Sequence, residues 1–261
     1  MKKTVKVLCL AVLMIGSAFS ASAQFRQSIF FNVNAPTGDF ASQVTPMDNR
    51  PILAMPVPTQ NVPLGYSEIG KNASIGFGLG YRVSYRFDVG YGMVAPFVQA
   101  DFFWNSISSS LSNEYRSARA DATPTYINVP VQLGVSYLYD QLWNDITPYA
   151  EFGIGVDGMF ITSEGPCHWT TLTGSTDNSA KYSYDPSFAV AFSFGLGAYF
   201  GRHVSAGLYY YGLGQHTINY TKKTIDEGLT DIPLASQRNY FLANPTSRSV
   251  GSFALRIGFH F

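Results

Sequence analysis

Histidines are the residues of this chain best suited to acid–base or metal chemistry, and the sequence has four of them: His168, His203, His216 and His260. None is spaced from another histidine, a cysteine or a carboxylate in the way that zinc ligands are, so the sequence predicts no metal site. One histidine, His216, is placed to act as a general base, which needs a nucleophile or carboxylate beside it. Its candidate partners are Ser163, Glu164 and Asp185.

A glycine motif at residues 153–158, Gly-Ile-Gly-Val-Asp-Gly, matches the G-x-G-x-x-G fingerprint of dinucleotide-binding proteins. That fingerprint needs a strand before it and a helix opening after it. Here the motif lies inside a segment of alternating apolar and small residues, and no helical pattern follows. We therefore expect these glycines to relieve crowding on one face of a strand, and the sequence predicts no cofactor.

Charged residues are only 13% of the chain, and aromatic residues are 15%. A few of the charges fall on the polar face of segments that alternate between apolar and polar residues. If these segments are the strands of a barrel with its apolar face outward, those charges lie in the interior. An unpaired charge in a narrow interior is costly, so carboxylates should lie against arginines. The pattern predicts an ion-pair plug or, alternatively, a gated polar path. The candidates are Arg82, Asp101, Glu151, Asp157 and Arg256, with His260 as a further inward residue.

Eight segments alternate between apolar and polar or small residues, and each has about the 9–11 residues of a membrane-spanning strand. The clearest is residues 127–137, where apolar side chains at the odd positions oppose Asn, Pro, Gln, Gly and Ser. Glycine, alanine and serine dominate the polar face, and they suit the narrow interior of an eight-stranded barrel. The sequence therefore predicts an all-β, eight-stranded antiparallel up-and-down transmembrane barrel. Pro130 removes a ladder hydrogen bond, and we expect a β-bulge there.

The connections between these segments alternate in length. Residues 86–92, 139–146 and 201–203 are short, and they are expected to be periplasmic turns. The four longer connections are expected to be outer loops that could bind a ligand or a surface. They are residues 41–72, 106–123, 163–185 and 219–247.

The chain finishes on an alternating strand that stops at an aromatic residue. Pairing of this strand with residues 28–35 would close the cylinder. One face of the strand resembles the signal that the barrel assembly machinery of the outer membrane reads. That face consists of Phe253, Leu255, Ile257, Phe259 and Phe261.

Residues 1–23 are predicted to be a cleaved signal peptide, and residues 24–261 a single barrel domain. Lys2, Lys3 and Lys6 precede an apolar stretch, and Ala21-Ser22-Ala23 forms an A-x-A cleavage site. Without those lysines the 17 basic residues become 14 against 17 acidic ones, a net charge of −3. This balance gives no electrostatic basis for nucleic-acid binding. One cysteine, Cys167, remains, so an internal disulfide is excluded.

Two short stretches are similar to a known family. Residues 126–131, Tyr-Ile-Asn-Val-Pro-Val, resemble the Tyr-x-x-x-Pro strand of the outer-membrane β-barrel domain family, the PorT-like and OmpA-like barrels of Bacteroidetes. Residues 148–153 resemble its following Pro-Tyr…Gly strand, and residues 34–40 resemble the exit of the first strand in many such barrels. The resemblance implies a Gram-negative outer-membrane location and a fold, and it implies no single activity.

The first functional hypothesis is therefore a monomeric, non-enzymatic outer-membrane barrel with a plugged interior. Its partners would be outer-membrane lipid, the barrel assembly machinery and an unknown ligand of the surface loops. A small channel or porin is the second hypothesis. A lipid-modifying enzyme that uses His216 is the third.

Overall fold

The computed structural model describes residues 25–42, 70–108, 124–139, 145–162, 167–170, 177–226 and 246–261. In these ranges the chain forms strands and a single 3-10 helix, Gly38–Ala41. No helix in the described ranges has the length and apolar character needed to cross a membrane. The strands are β1 (Phe25–Thr37), β2 (Gly76–Tyr85), β3 (Phe87–Asp88), β4 (Met93–Ser106), β5 (Thr125–Leu138), β6 (Ile146–Ile161), β7 (Cys167–Thr170), β8 (Asp177–Tyr184), β9 (Ser187–Phe200), β10 (Val204–Ile218), β11 (Tyr220–Asp226) and β12 (Thr246–His260).

Eight long strands close into one antiparallel barrel in the order β1-β2-β4-β5-β6-β9-β10-β12. The first strand pairs with the last, from Ser28 opposite His260 to Thr37 opposite Gly251. The prediction of an all-β, eight-stranded up-and-down barrel is confirmed, and so is its closure by the last strand. The short connections lie at one end of the cylinder, called here the turn end, and the long ones lie at the other, the loop end.

Burial alternates along most of the length of the barrel strands, as the period of two in a strand requires. Outward apolar side chains are strongly exposed: Leu79 by 59%, Leu133 by 63% and Leu208 by 69%. Inward positions are buried and mix polar, aromatic and small residues, for example Asn32, Phe103 and Ala191. The core of this molecule is therefore the barrel interior, and its large apolar surface faces outward.

Two long connections contain further strands. β7, β8 and β11 pair in a separate three-stranded antiparallel sheet at the loop end. Residues 163–185 and 219–247 were predicted to be long loops. They are long connections between barrel strands, but their described parts contain strands that the sequence did not predict. The reason is visible in β8, whose sequence Asp-Asn-Ser-Ala-Lys-Tyr-Ser-Tyr lacks the apolar alternation that marks the barrel strands.

The bulge predicted at Pro130 is absent. Pro130 lies opposite Asp157 in a continuous ladder with β6. Toward β4 the register is the same on both sides of the proline, from Ala100 opposite Val131 to Phe103 opposite Asn128. The missing proline donor therefore leaves a gap in one ladder and inserts no extra residue.

The irregularity of the barrel lies in β10, where the register with β12 shifts between Gly212 and Gly214. Gly214 has φ +94°, a conformation that favours glycine. Before the shift the odd positions, such as Tyr211, face inward, whereas His216 and Ile218 face inward after it. This bulge explains why β10 has bulky residues at both odd and even positions. It also makes the side chain of His216 face the lumen.

Gly155, the second glycine of the dinucleotide-like motif, is required by packing. A Cβ at this position would overlap the backbone carbonyl of Val131. At Gly153 the nearest atoms are side-chain ends, Ser193 Oγ at 2.9 Å and Gln132 Oε1 at 3.2 Å, which can move. The motif therefore lies within β6 and relieves crowding between strands.

We expect Gly155→Ala to lower the free energy of unfolding by about 1–3 kcal/mol, because a close-packed backbone cannot yield to an added methyl group. Gly153→Ala is the matched control and should change stability less. Equilibrium urea unfolding of the refolded barrel measures both. Equal losses at the two glycines would contradict this explanation.

Candidate functional site

The lumen is crossed near its middle by four ionised side chains, which we call the plug: Arg82, Asp101, Glu151 and Arg256. Arg82 Nη1 donates to Glu151 Oε2 at 2.7 Å, and its Nη2 bonds the other carboxylate oxygen. Arg256 Nη2 lies 3.2 Å from both oxygens of Asp101, and its Nη1 lies 3.5 Å from Glu151 Oε1. The side chains of these ion pairs are at most 4% exposed.

Strand register brings the plug together from β2, β4, β6 and β12. Gly80 on β2 lies opposite Asp101, and a Cβ at Gly80 would overlap that carboxylate. Gly207 on β10 and Asn32 on β1 flank Arg256. The small residues beside the charged ones therefore make room for long side chains to meet across the lumen.

Sequence reasoning missed several partners of the plug. Gln99 Oε1 accepts from Arg82 Nε at 2.7 Å and from Arg256 Nη1 at 3.1 Å. Both guanidinium groups lie over the ring of Phe30, at 4.9 and 4.3 Å from its centroid. The ring centroid of Tyr209 lies 4.1 Å from the guanidinium carbon of Arg256, and the hydroxyl of Tyr211 accepts a hydrogen bond from that arginine. The alternation of the sequence indicates that these side chains face inward, but it gives no information about their contacts across the barrel.

The plug is balanced in charge, with two arginines and two carboxylates, and its donors and acceptors are engaged with one another. Buried charges are tolerated only when they are paired and hydrogen-bonded in this way. The arrangement therefore has the chemistry of a structural network that fills the lumen.

Asp157 was predicted to be an interior ion-pair residue together with the plug residues, but it forms no ion pair with them. It pairs with His216 in the loop-end half, where Asp157 Oδ2 lies 3.1 Å from His216 Nε2 and both side chains are fully buried. The same nitrogen donates to the carbonyl of Leu213 at 3.0 Å. On β6, Asp157 lies opposite Pro130 of β5. Its partner His216 is on the bulged strand β10, and β9 lies between β6 and β10 in the barrel.

Of the partners predicted for His216, Asp185 lies in the described part of the chain, and it is not a partner there. Asp185 donates its backbone N–H to Asn219 and forms no ion pair with His216. Ser163 and Glu164 lie outside the described residues. In the described part of the chain, His216 Nδ1 has no hydrogen-bond partner, so no hydroxyl is positioned for it to activate. The Asp157–His216 pair is thus shut inside the barrel without a nucleophile among the described residues.

Several polar atoms around this pair lack aligned hydrogen bonds within the described residues. They are both carboxylate oxygens of Asp157, both amide atoms of Asn128 and Nε2 of Gln132. Asn128 and Gln132 flank Pro130 on the inner face of β5. A buried polar atom without a partner is destabilising, so this half of the lumen is less well satisfied than the plug.

The Asp157–His216 pair can be tested by a double-mutant cycle. We expect His216→Phe to lower the unfolding free energy by about 1–3 kcal/mol, because it leaves the buried Asp157 carboxyl facing an apolar ring in place of a polar one. The double variant Asp157→Leu/His216→Phe should recover part of that loss. Urea unfolding of the refolded protein measures the cycle, and strictly additive single-variant effects would show that the two side chains do not interact.

A cap covers the loop end of the lumen. The 3-10 helix buries Phe40 against Tyr126, with the ring centroids 5.1 Å apart. The Tyr126 hydroxyl donates to the carbonyl of Lys71 at 2.9 Å. Asp39 Oδ2 accepts from the backbone N–H of Ser249 at 3.0 Å, and this hydrogen bond holds the pKa of the exposed Asp39 carboxyl below its ordinary value. This clasp between the helix and β12 is complete above that ordinary pKa and is lost as the pH falls through the lowered one.

The remaining histidines are placed as follows. His260 is buried at the turn end, where its ring nitrogens lie 2.7 Å from the hydroxyls of Ser28 and Ser205. His203 is exposed in the β9–β10 turn, and its Nδ1 donates to the carbonyl of His260. Over the described ranges, no group of three or more His, Cys, Asp or Glu residues could hold a metal ion.

The outer face of β12 carries the residues of the predicted assembly signal. All of them are exposed on the barrel exterior: Phe253 59%, Leu255 50%, Ile257 42%, Phe259 55% and Phe261 57%. They continue the apolar exterior of the neighbouring strands β1 and β10.

Comparison with known proteins gives matches at the level of structure. No family model and no curated protein matches the sequence. Among solved structures, a major outer membrane protein from Thermus thermophilus is 11% identical, with a TM-score of 0.41, and the match covers 91% of this chain and 99% of that one. Ail, the attachment invasion locus protein of Yersinia pestis, is 11% identical with a TM-score of 0.38, and 91% and 97% of the two chains are covered. Neisserial surface protein A is 10% identical with a TM-score of 0.39, and 91% and 96% are covered. At these identities and TM-scores the likenesses identify neither a family nor an activity.

Proposed function

We propose that this protein is a non-enzymatic integral barrel of a Gram-negative outer membrane, with a plugged lumen and with surface loops that bind a ligand or a partner surface. The observation that carries the proposal is the apolar belt, the exposed apolar side chains on all eight barrel strands. Within the described part of these strands, no outward position carries a charged residue. A belt of this kind is stable in hydrocarbon and not in water, because soluble proteins rarely expose apolar patches beyond a few hundred Å².

The backbone of the barrel, like its apolar belt, is suited to a membrane. Every backbone polar group in hydrocarbon must be satisfied internally, and only a closed sheet does this with strands. The β1–β12 and β2–β4 ladders complete the cylinder, so no barrel strand presents an open edge. Aromatic residues also occur toward both ends of the belt, including Trp104 and Phe188 near the loop end and Tyr137 and Phe200 near the turn end. This distribution is typical of membrane interfaces.

The plug supports a binding or adhesion protein over the channel that the sequence left as an alternative. Arg82, Arg256 and their carboxylates fill the lumen at mid-height, and Phe40 and Tyr126 cap it above. A closed lumen leaves the long connections at the loop end as the part of the molecule available to a partner. Steady single-channel steps of the wild-type protein in planar bilayers would contradict the plugged lumen.

The location is tested by expressing the full chain in a Gram-negative host and separating its membranes. We expect the protein in the outer-membrane fraction, shortened by its signal peptide, and with heat-modifiable gel mobility. Heat-modifiable mobility follows because a closed barrel resists detergent until it is boiled. Recovery as a soluble periplasmic protein, or identical migration with and without boiling, would overturn the proposal.

A further inference from the structure

The turn end of the lumen holds a group of arginines that the plug does not use. Arg26 lies on β1 with the inward parity of Ser28 and Phe30. Arg86 follows β2, and its guanidinium lies 4.9 Å over the ring of Tyr199. Arg202 lies in the β9–β10 turn, next to the histidine that donates to the His260 carbonyl. We call Arg26, Arg86, Arg202 and Tyr199 the cationic vestibule.

The wall of the vestibule is built of packed aromatic rings and hydrogen-bonded serines. The His260 ring lies 4.6 Å from the ring of Tyr199, and two serine hydroxyls hold its nitrogens. Tyr199 in turn packs at 5.2 Å against Tyr149. The plug closes the lumen farther in, so the vestibule lies between the plug and the turn end of the barrel.

The arginines of the vestibule form no ion pairs with the described residues. Within these residues no carboxylate lies within 4.0 Å of Arg26, Arg86 or Arg202, whereas each plug arginine has one. Arg26 Nε is buried with no hydrogen-bond partner among the described residues, and Arg86 and Arg202 both repel the Arg26 charge.

Two described acidic residues of the neighbouring turns, Asp88 and Asp145, form no ion pair with these arginines. Asp88 Oδ1 accepts from the backbone N–H of Gly90 at 2.8 Å. Asp145 contributes its backbone carbonyl to Gly201 at 2.7 Å. Neither carboxylate pairs with a vestibule arginine. The C-terminal carboxylate of Phe261, whose backbone bonds Gln27 beside Arg26, also forms no ion pair within 4.0 Å with these arginines. The three guanidinium groups therefore lie at the turn end without a paired carboxylate among the described residues.

We propose that the cationic vestibule binds a phosphate group. A guanidinium offers a planar fork of N–H donors that matches phosphate oxygens, and phosphate carries enough charge to engage several arginines at once. The vestibule faces the periplasm, a statement that rests on the proposed outer-membrane function. The phosphate could belong to an anionic phospholipid of the inner leaflet or to a soluble phosphate compound.

The first arm of the test uses inorganic phosphate and the full mature barrel refolded in a zwitterionic detergent. Binding is followed by isothermal titration at constant ionic strength, with chloride as the reference anion. We expect saturable binding at one site, about tenfold weaker or more in Arg26→Gln/Arg86→Gln/Arg202→Gln, since several charge-assisted hydrogen bonds are lost. Lys222→Gln/Lys223→Gln on β11, at the opposite end, removes cationic charge outside the vestibule and should leave the affinity unchanged.

The second arm uses vesicles of zwitterionic phospholipid with and without phosphatidylglycerol. Enrichment of the anionic lipid around the wild-type barrel, and its loss in the triple variant, would assign the phosphate to a headgroup. Binding of inorganic phosphate alone would assign a soluble ligand. Folding of each variant is checked by heat-modifiable mobility, and Arg202→Gln, which changes an exposed turn residue, serves if the triple variant does not fold. A folded wild-type barrel that binds neither probe would overturn this inference while leaving the proposed membrane function intact.

Discussion

Replacing Arg256 with methionine is expected to lower the free energy of unfolding by about 3–5 kcal/mol, because it removes one partner of a buried ion pair. Arg256 is fully buried and is the cation that faces Asp101. In the variant, the Asp101 carboxylate would stay in the lumen without a counter-charge, and Glu151 would keep only Arg82. Equilibrium urea unfolding of the barrel refolded into lipid vesicles measures the loss.

Two matched variants separate charge from packing. Arg256→Met/Asp101→Leu removes both charges and should recover much of the loss, because apolar residues of similar volume often replace a buried ion pair without penalty. Arg202→Met removes an exposed arginine and should change stability by no more than about 0.5 kcal/mol. If the double variant were as unstable as Arg256→Met, the interior charge balance would not explain the role of Arg256.

Introducing arginine at Leu133 is expected to lower the unfolding free energy in vesicles by about 2–4 kcal/mol, the penalty for a cation at mid-bilayer on a barrel surface. Leu133 is 63% exposed, and it lies in the middle of β5 between the outward residues Val98 and Ile154. In water, a charged residue at so exposed a site would have little effect. The size of the change in unfolding free energy therefore shows whether hydrocarbon or water surrounds the belt.

Val89→Arg is the control for the belt variant. Val89 is 50% exposed, but it lies in the short connection after β3, beyond the end of the strands. Near the interface the same arginine should change stability by about 0–1 kcal/mol. A small effect at both positions would mean that the belt does not contact hydrocarbon.

Much of the barrel could be predicted from the sequence because alternation is a local property. Each strand shows its own inward and outward faces, so Ile127 to Tyr137 already indicates which residues line the lumen. Closure follows from the same pattern, since the last strand needs a partner and residues 28–35 offer one. The pattern failed at β8, where a polar strand pairs outside the barrel and has no apolar face to mark it.

The contacts within the lumen could not be predicted in the same way. The parity of Arg82 and Glu151 places both inside, but their contact depends on heights and side-chain lengths across strands that are not adjacent. His216 is the sharper case. A single extra residue at the Gly212–Gly214 bulge reverses its face, and only then does it meet Asp157. A period of two gives no signal for such a shift.

Closure by β1 and β12 also has a consequence for biogenesis. The hydrogen bond between Ser28 and His260 joins residues separated by 232 positions. Contacts of this sequence separation form slowly, because a long loop must be ordered before they provide any stabilisation. Until β12 arrives, β1 has an unpaired edge that can pair with another chain. The nascent protein therefore needs protection from aggregation until its final residues are delivered, and a truncation that removes only β12 should block folding while leaving most of the barrel sequence in place.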